Sequence, residues 1–270
     1  MSARGFLEST TMGFARALTR AMLSEQTARQ RGLLQSLDPR VRVVGLFALV
    51  LAVTLSRKIT VVAALFAVAI VLALLSRVQL TTLIKRVWLV VLGFTGVIAL
   101  PAIFVTPGSP VAQLGPAMIT EQGLRTATLL ILRVETAVTF TTLLILCTPW
   151  AHVLKALRAL HLPKEAITML AMTYRYVFLL VETATQMFDS RRSRTVGRLP
   201  PAEQRRMAGR TAGVLLSKSM ATSEEVYMAM QSRGFRGEVE VLSDFHMTMW
   251  DYAGLVLFLL VAAVAVGVGR

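Results

Sequence analysis

Five apolar runs, separated by polar breaks, dominate the pattern of hydrophobic and polar positions along the chain. Each run is about 15 to 25 residues long, close to the length that an α-helix needs to cross the hydrocarbon core of a bilayer. Hydrocarbon offers the backbone no hydrogen-bond partners, so these runs are predicted to be transmembrane helices. They cover about residues 41–55, 59–75, 87–105, 123–147 and 249–268.

A stretch of roughly 100 residues separates the fourth run from the fifth, and its pattern is that of amphipathic helices. Prolines and glycines divide it into a short piece over about 150–160, a long helix from Pro163 to about Arg194, and a second long helix from about Glu203 to Ser232. The second long helix carries an apolar stripe at helical spacing: Leu216, Met220, Tyr227 and Met230.

Residues 166–181, inside the first long helix, are apolar enough to suggest a further span. Tyr174, Arg175 and Glu182 favour instead a helix that lies in or just under the membrane interface. A span here would put the ends of the two long helices on opposite sides of the membrane or reverse the final span.

Basic residues set the predicted orientation. Residues 1–36 carry five arginines and no apolar core long enough for a signal peptide, so this segment is expected to be retained on the cytoplasmic side, where it permits a short interfacial helix. Asp38 is suited to cap the first span and Pro39 to occupy its first position. The polar break at residues 56–58 is short enough to require a hairpin, and five spans leave the C-terminus outside.

The fourth span contains two ionisable residues, Arg133 and Glu135, which lie about 200° apart around a helix and so do not pair on one face. An ionised group at this depth costs several kcal/mol unless it has a partner. Each side chain therefore either makes a hydrogen bond inside the bundle or contacts a second membrane subunit. In the third span, Gly93 and Gly96 are compatible with a membrane helix if neighbouring helices pack closely.

Composition supports the same fold class. The chain has 270 residues, of which 55% are hydrophobic, and a net charge of +14, which is too apolar for a soluble domain and too basic for spans alone. The basic residues flank the spans, which argues against nucleic-acid binding and for contact with the lipid bilayer. The prediction is an all-α polytopic membrane protein with about five transmembrane helices. Its predicted segments are a basic cytoplasmic segment (1–36), four spans (37–148), a cytoplasmic helical module (149–247) and a last span (248–270).

Several kinds of chemistry have no signature in the sequence. A Gly-rich phosphate loop is absent, so ATP is expected to bind to another chain or not at all. His152 and His161 face opposite sides of any continuous helix and His246 is isolated, so no metal site is predicted. No span holds a paired nucleophile and base. The chain is therefore expected to be non-catalytic and to bind no cofactor, and its lone cysteine, Cys147, is expected to serve packing.

Two helix ends of the module have a Ser-Arg-small pattern. Ser232, Arg233 and Gly234 end the second long helix, with glycine where a left-handed cap belongs. Ser193, Arg194 and Thr195 end the first. Attraction to anionic lipid, about 1 kcal/mol per charge, explains such charges in general. Two similar helix ends on one side of the membrane fit a pair of equivalent partners better than they fit a diffuse patch of lipid.

These residues resemble a known family. Leu37-Asp38-Pro39-Arg40 before the first span, Ser193-Arg194-Thr195-Val196-Gly197, and Met230-Gln231-Ser232-Arg233-Gly234-Phe235 resemble the transmembrane T components of energy-coupling-factor transporters, specifically the CbiQ type of cobalt uptake systems. The resemblance covers the chain from about residue 33. The first arginine motif has threonine where many members have glycine, and Arg191 offers a rival register for it.

The resemblance implies a function and a set of partners. The two arginine motifs would end coupling helices that dock onto two cytoplasmic ABC ATPase subunits of the CbiO type. A separate substrate-binding membrane subunit of the CbiM type, with a small accessory subunit of the CbiN type, would capture cobalt for cobalamin biosynthesis. The expected location is the bacterial inner membrane. Nickel or a vitamin is an alternative cargo, because another chain selects it.

Two other classes of function remain open from the residues alone. A self-sufficient channel or secondary transporter normally shows internal repeats or broken helices at the midplane, and this chain shows no second half that resembles the first. A membrane scaffold without transport activity is the other alternative.

Overall fold

Nearly all of the secondary structure is helical in the computed structural model of the chain, which describes residues 32–106, 109–114, 117–160, 162–194, 200–235 and 247–270. The predicted N-terminal interfacial helix therefore falls outside the described residues. The elements in chain order are α1 (Leu33–Ser36), α2 (Pro39–Leu55), α3 (Ile59–Leu75), α4 (Leu80–Leu83), a π turn (Ile84–Trp88), α5 (Leu89–Val105), β1 (Pro110–Leu114), β2 (Ala117–Thr120), α6 (Glu121–Cys147), α7 (Trp150–Ala159), α8 (Lys164–Arg194), α9 (Pro201–Ser232) and α10 (Met249–Gly269).

The five predicted apolar runs and the three predicted helices between the last two of them all form helices, with bounds close to those expected. The start of α2 is as predicted, because Asp38 accepts a hydrogen bond from the Arg40 amide at 2.8 Å and Pro39 occupies the first turn. Two features that the sequence did not predict are the π turn before α5 and the antiparallel hairpin that β1 and β2 form between α5 and α6.

Contacts divide the chain into two units. The first contains α1 to α6, most of α7, and α10; the second begins within α7 at Leu157 and contains α8 and α9. Within the first unit, α6 packs against α2, α3 and α5, and α10 packs against α2. Fully buried side chains fill the space between these helices: Leu46, Leu49, Val53, Phe140 and Leu143.

The outward surface of the bundle is apolar. Phe47, Phe94 and Leu257 are each more than half exposed. A water-soluble protein rarely presents so much contiguous apolar surface, whereas hydrocarbon solvates it without cost. The chain is accordingly a polytopic helical membrane protein.

Among the described residues, three helices are long and apolar enough to cross a membrane: Glu121–Cys147, Lys164–Arg191 and Met249–Gly269. Ile59–Leu75 and Leu89–Ile103 are shorter apolar helices. The stretch Lys164–Arg191 belongs to α8, which the sequence analysis placed at the interface, and it is the least apolar of the three. The interfacial placement of α8 stays a prediction, and residue composition alone also permits a crossing.

Gly123 shows how closely α5 and α6 approach each other. A Cβ atom at this position would lie 2.7 Å from the Ile103 carbonyl oxygen and 2.9 Å from that of Ala102, both of which are backbone atoms. We expect Gly123→Ala to lower the free energy of unfolding by about 1–3 kcal/mol, because the two helices would have to separate. Gly267→Ala is the matched control, since a Cβ there meets nothing within 4 Å.

Thermal unfolding of the purified variants in one detergent measures this effect. Gly267→Ala should unfold at or slightly above the wild-type temperature, because alanine is the better helix former. Equal unfolding temperatures for the two variants would contradict the close approach of α5 and α6.

Candidate functional site

The end of α9 is a complete Schellman cap. The Phe235 amide donates to the Met230 carbonyl at 3.0 Å, and the Gly234 amide donates to the Gln231 carbonyl at 2.9 Å. Gly234 has φ of 77°, the left-handed conformation that glycine adopts without steric cost. The predicted glycine cap is therefore present, and it fixes the backbone on both sides of Arg233.

The side chains of Ser232 and Arg233 take no part in the hydrogen bonds of the cap, which join backbone atoms. Ser232 Oγ donates to the Ala229 carbonyl at 3.0 Å, so the serine is used locally within the helix. Ser232 and Arg233 are exposed. A rigid backbone thus presents a cationic side chain at the end of a helix of 32 residues.

The first motif lies at the end of α8. Ser193 Oγ donates to the Ser190 carbonyl at 2.9 Å, which is the same local bond that Ser232 makes. Ser193 and Arg194 are exposed, whereas Arg191 is partly buried. Thr195 lies outside the described residues. Arg194 is therefore the more accessible of the two arginines that the sequence offers for this motif.

Helices α8 and α9 enclose an apolar groove of about 560 Å³. Met169, Met172 and Leu180 line it from α8, and Tyr227 and Met230 line it from α9. Phe235, the residue that closes the Schellman cap, also lines the groove. The cap that positions Arg233 is thus anchored on the surface that joins the two helices.

The four residues of the predicted apolar stripe of α9 have different surroundings. Tyr227 and Met230 reach the groove, but Leu216 and Met220 do not line it and are each more than 60% exposed. The sequence could not assign these roles, because all four residues share one helical face and differ only in what lies opposite.

The two ionisable residues of α6 have different surroundings. Arg133 Nη2 donates to the Ser56 carbonyl at 2.7 Å, at the hairpin between α2 and α3. Glu135 is buried, and both of its carboxyl oxygens lack a hydrogen-bond partner within the described chain. The sequence left open a hydrogen bond inside the bundle or a contact with a second membrane subunit. Arg133 makes a hydrogen bond inside the bundle, whereas the Glu135 carboxyl group makes none among the described residues.

A buried polar network that the sequence did not reveal joins α2, α6 and α10. Asp251 Oδ1 accepts from the Asp38 amide at 2.7 Å, and Oδ2 accepts from the Thr248 amide and hydroxyl at 2.9 and 2.7 Å. Arg42 Nη1 donates to the carbonyl of Cys147. Asp38 and Asp251 are 213 positions apart, so no local pattern could have paired them. The signal available in the sequence was Arg42, a charged residue at the start of the predicted first span.

No cluster of three or more histidine, cysteine or acidic side chains occurs in the part of the chain that the structure describes. His161 and His246 fall outside it. Burial, together with the positive charges of Arg42 and Lys155, lowers the pKa of His152 on α7, despite an opposing effect of Asp38. His152 is therefore neutral near pH 7.

Comparison with known proteins decides the family. The family model described as cobalt transport protein CbiQ matches residues 30–243, a range that includes α1 to α9. The chain belongs to the CbiQ family. Its resemblance to the T components of energy-coupling-factor transporters is thereby confirmed. The chain is a membrane component of a transporter.

Three curated relatives of this CbiQ-family chain have names that describe transport. Cobalt transport protein CbiQ of Rhodobacter capsulatus is 33% identical over 182 residues, 65% of this chain and 73% of the relative. Nickel permease LarQ of Lactiplantibacillus plantarum is 29% identical over 225 residues, 80% and 73% of the two chains. Energy-coupling factor transporter transmembrane protein EcfT of Listeria innocua is 24% identical over 250 residues, 86% and 91%. All three are membrane components of transporters.

Proposed function

We propose that this chain is the coupling subunit of an energy-coupling-factor importer. In this role it transmits the ATP-driven motion of two cytoplasmic ATPase subunits to a separate substrate-binding membrane subunit. The observation that carries the proposal is the end of α9, where a closed Schellman cap holds the backbone and leaves Arg233 exposed.

Arginine suits this task physically. Its guanidinium is a planar fork of donors that holds a carboxylate or a helix end, and its charge does not titrate away. Arg194 at the end of α8 would make the equivalent contact with the second ATPase subunit. Ser193, Ser232 and Gly234 would serve by fixing the two helix ends, with Thr195 completing the first motif.

The groove between α8 and α9 suits the transmission of motion. Packed helices respond to a displacement at one end by shifting as rigid bodies. Methionine side chains in the groove repack readily, so the two helices can slide without losing contact. When the ATPase subunits close on ATP, helices held at Arg194 and Arg233 would move with them.

Cobalt is the proposed cargo, since the family model and the Rhodobacter relative carry that description. Nickel is the second candidate, because of the relative named nickel permease. In either case ATP and Mg²⁺ would be bound by CbiO-type subunits and the metal by a CbiM-type subunit, assisted by a CbiN-type subunit. The chain itself would be a non-catalytic permease of the bacterial inner membrane, with residues 149–247 on its cytoplasmic side.

Reconstitution tests this proposal. The chain is co-expressed with the ATPase and membrane subunits of its transporter and incorporated into vesicles that contain ATP. We expect uptake of labelled Co²⁺ that requires all subunits and stops with a non-hydrolysable ATP analogue. Parallel assays with Ni²⁺ determine which metal is carried. Uptake by this chain alone, without ATP, would contradict the proposal and support a self-sufficient transporter.

A further inference from the structure

The carboxyl group of Glu135 makes no hydrogen bond to the described residues of the chain. Its side chain is only 7% exposed, and neither carboxyl oxygen has a hydrogen-bond partner in the described residues. Removing a carboxyl group from water without replacing its hydrogen bonds is costly, and intramembrane acidic residues nearly always face a partner or a cavity. A donor from outside the chain would supply what is missing.

The hydroxyl groups of Thr136 and Thr139, which lie close to Glu135 on α6, have hydrogen-bond partners within the chain. Thr136 Oγ1 donates to the Leu132 carbonyl and Thr139 Oγ1 to the Glu135 carbonyl, each at 2.6 Å. Thr139 Oγ1 also accepts from Trp88 Nε1 at 3.1 Å. The two carboxyl oxygens of Glu135 differ from these hydroxyl groups, because neither has a hydrogen-bond partner among the described residues.

Glu135 lines a pocket of about 440 Å³ on the side of the bundle. Apart from Glu135 and Thr128, its lining is apolar and comes from α3, the π turn, α5 and α6. Leu89 and Leu92 form an exposed part of this lining, at 59% and 46% exposure. The pocket therefore opens through an apolar surface and not through a polar one.

The position of Glu135 along α6 places the pocket within the hydrocarbon. The residue lies about 21 Å from the first residue of the helix and about 18 Å from the last, while the hydrocarbon core is about 30 Å thick. Water and lipid head groups are therefore poor candidates for the missing donor.

A π turn shapes one wall of the pocket. The turn Ile84–Trp88 interrupts the helix before α5, and such turns occur frequently at functional sites. It presents Trp88, which is fixed by its bond to Thr139 and by ring contact with Phe66, at 5.2 Å between centroids. Both rings line the pocket, so its wall is rigid before any partner arrives.

Two glycines adjoin the pocket on α5. Gly93 and Gly96 lie within about 100° of Leu89 and Leu92 around the helix axis. A Cβ atom at either glycine would meet nothing within 4 Å, so no other helix of the described residues packs closely against α5 at these two positions. Glycine in a helix costs about 1 kcal/mol relative to alanine. Small residues on a membrane helix do allow a second backbone to approach closely.

We infer that this face receives a transmembrane helix of the substrate-binding membrane subunit. The helix crosses α5 at Gly93 and Gly96 and places a hydrogen-bond-donating side chain in the pocket against Glu135. Of the available occupants, a polypeptide helix matches both features, because lipid tails carry no donor and do not require glycine. The inference rests on the proposed function, since it assigns a contact to that function's second membrane subunit.

Variants of the full complex test the inference. The complex of this chain, its ATPase subunits and the membrane subunit is purified through a tag on this chain. Gly96→Leu blocks the helix crossing and Glu135→Ala removes the acceptor, while Glu135→Gln retains an acceptor oxygen. Gly267→Leu is the matched control, because position 267 is equally open but lies on α10.

We expect Gly96→Leu and Glu135→Ala each to reduce recovery of the membrane subunit about fivefold or more, with Glu135→Gln closer to wild type. Recovery of the ATPase subunits should be unchanged, which shows that the variants are folded. Gly267→Leu should retain both partners.

Two results would overturn the inference. One is wild-type recovery of the membrane subunit by both Gly96→Leu and Glu135→Ala. The other is that these variants lose a bound lipid or a second copy of this chain, counted by mass spectrometry of the intact complex, while keeping the membrane subunit. A wild-type chain that retains the membrane subunit but no ATPase subunit would contradict the proposed function and leave this contact supported.

Discussion

Arg233→Glu is expected to abolish ATP-driven metal uptake while leaving the chain folded in the membrane. Arg233 is exposed beyond a cap whose hydrogen bonds involve backbone atoms alone, so the substitution disturbs no contact that holds α9. It would replace the cation of the proposed ATPase contact with an anion. Loss of one member of a charge pair at an interface commonly costs 2–5 kcal/mol, a factor of about 30 or more in affinity.

The measurement combines uptake in vesicles with recovery of the ATPase subunits on the tagged chain. Arg210→Glu is the matched control, because Arg210 is an exposed arginine on the same helix, away from its end. Arg233→Lys should restore part of the activity, since lysine keeps the charge but lacks the planar fork. Normal uptake by Arg233→Glu, or equal losses in Arg210→Glu, would remove the basis for a specific coupling role of this residue.

Asp251→Ala is expected to destabilise the bundle by about 3 kcal/mol or more, even though the residue belongs to neither arginine motif. Its carboxylate accepts three hydrogen bonds: the one from the Asp38 amide connects the start of α10 to the start of α2, and the two from Thr248 lie at the start of α10. Truncation leaves the Asp38 amide buried without its acceptor, and each unsatisfied buried group costs about 1–3 kcal/mol. It also removes the capping box at the start of α10.

Thermal unfolding in detergent, followed by size-exclusion chromatography, measures this loss. Asp251→Asn should be intermediate, because an amide keeps one acceptor oxygen. Asp189→Ala serves as the control, since Asp189 is an exposed acidic residue of α8. If Asp251→Ala unfolded at the same temperature as Asp189→Ala, the network would not be a main source of stability.

The arginine motifs illustrate how far local sequence carries a functional hypothesis. Glycine after Ser232 and Arg233 indicated a left-handed cap, and the structure contains it at φ of 77°. The choice between Arg191 and Arg194 could not be made from the sequence, because both follow a serine at the end of one helix. Exposure distinguishes them, and exposure depends on what packs against the helix.

The fourth span illustrates the opposite case. Its sequence contains two ionisable residues, Arg133 and Glu135, and the sequence alone allowed either an internal hydrogen bond or a subunit contact for each of them. The Ser56 carbonyl that binds Arg133 belongs to a hairpin 77 positions away. Which polar group finds a partner is therefore a property of how the helices are arranged.

The sequence by itself determined the helices of this protein, their approximate ends and their membrane character. These follow from local physics, since apolar length, proline and glycine positions and capping residues act within a few residues of one another. Tertiary structure alone decided the pairing of Asp38 with Asp251, the open face at Gly93 and Gly96, and the isolation of Glu135. Each of these depends on groups that are distant in the chain, and only the packing of the helices brings such groups together or keeps them apart.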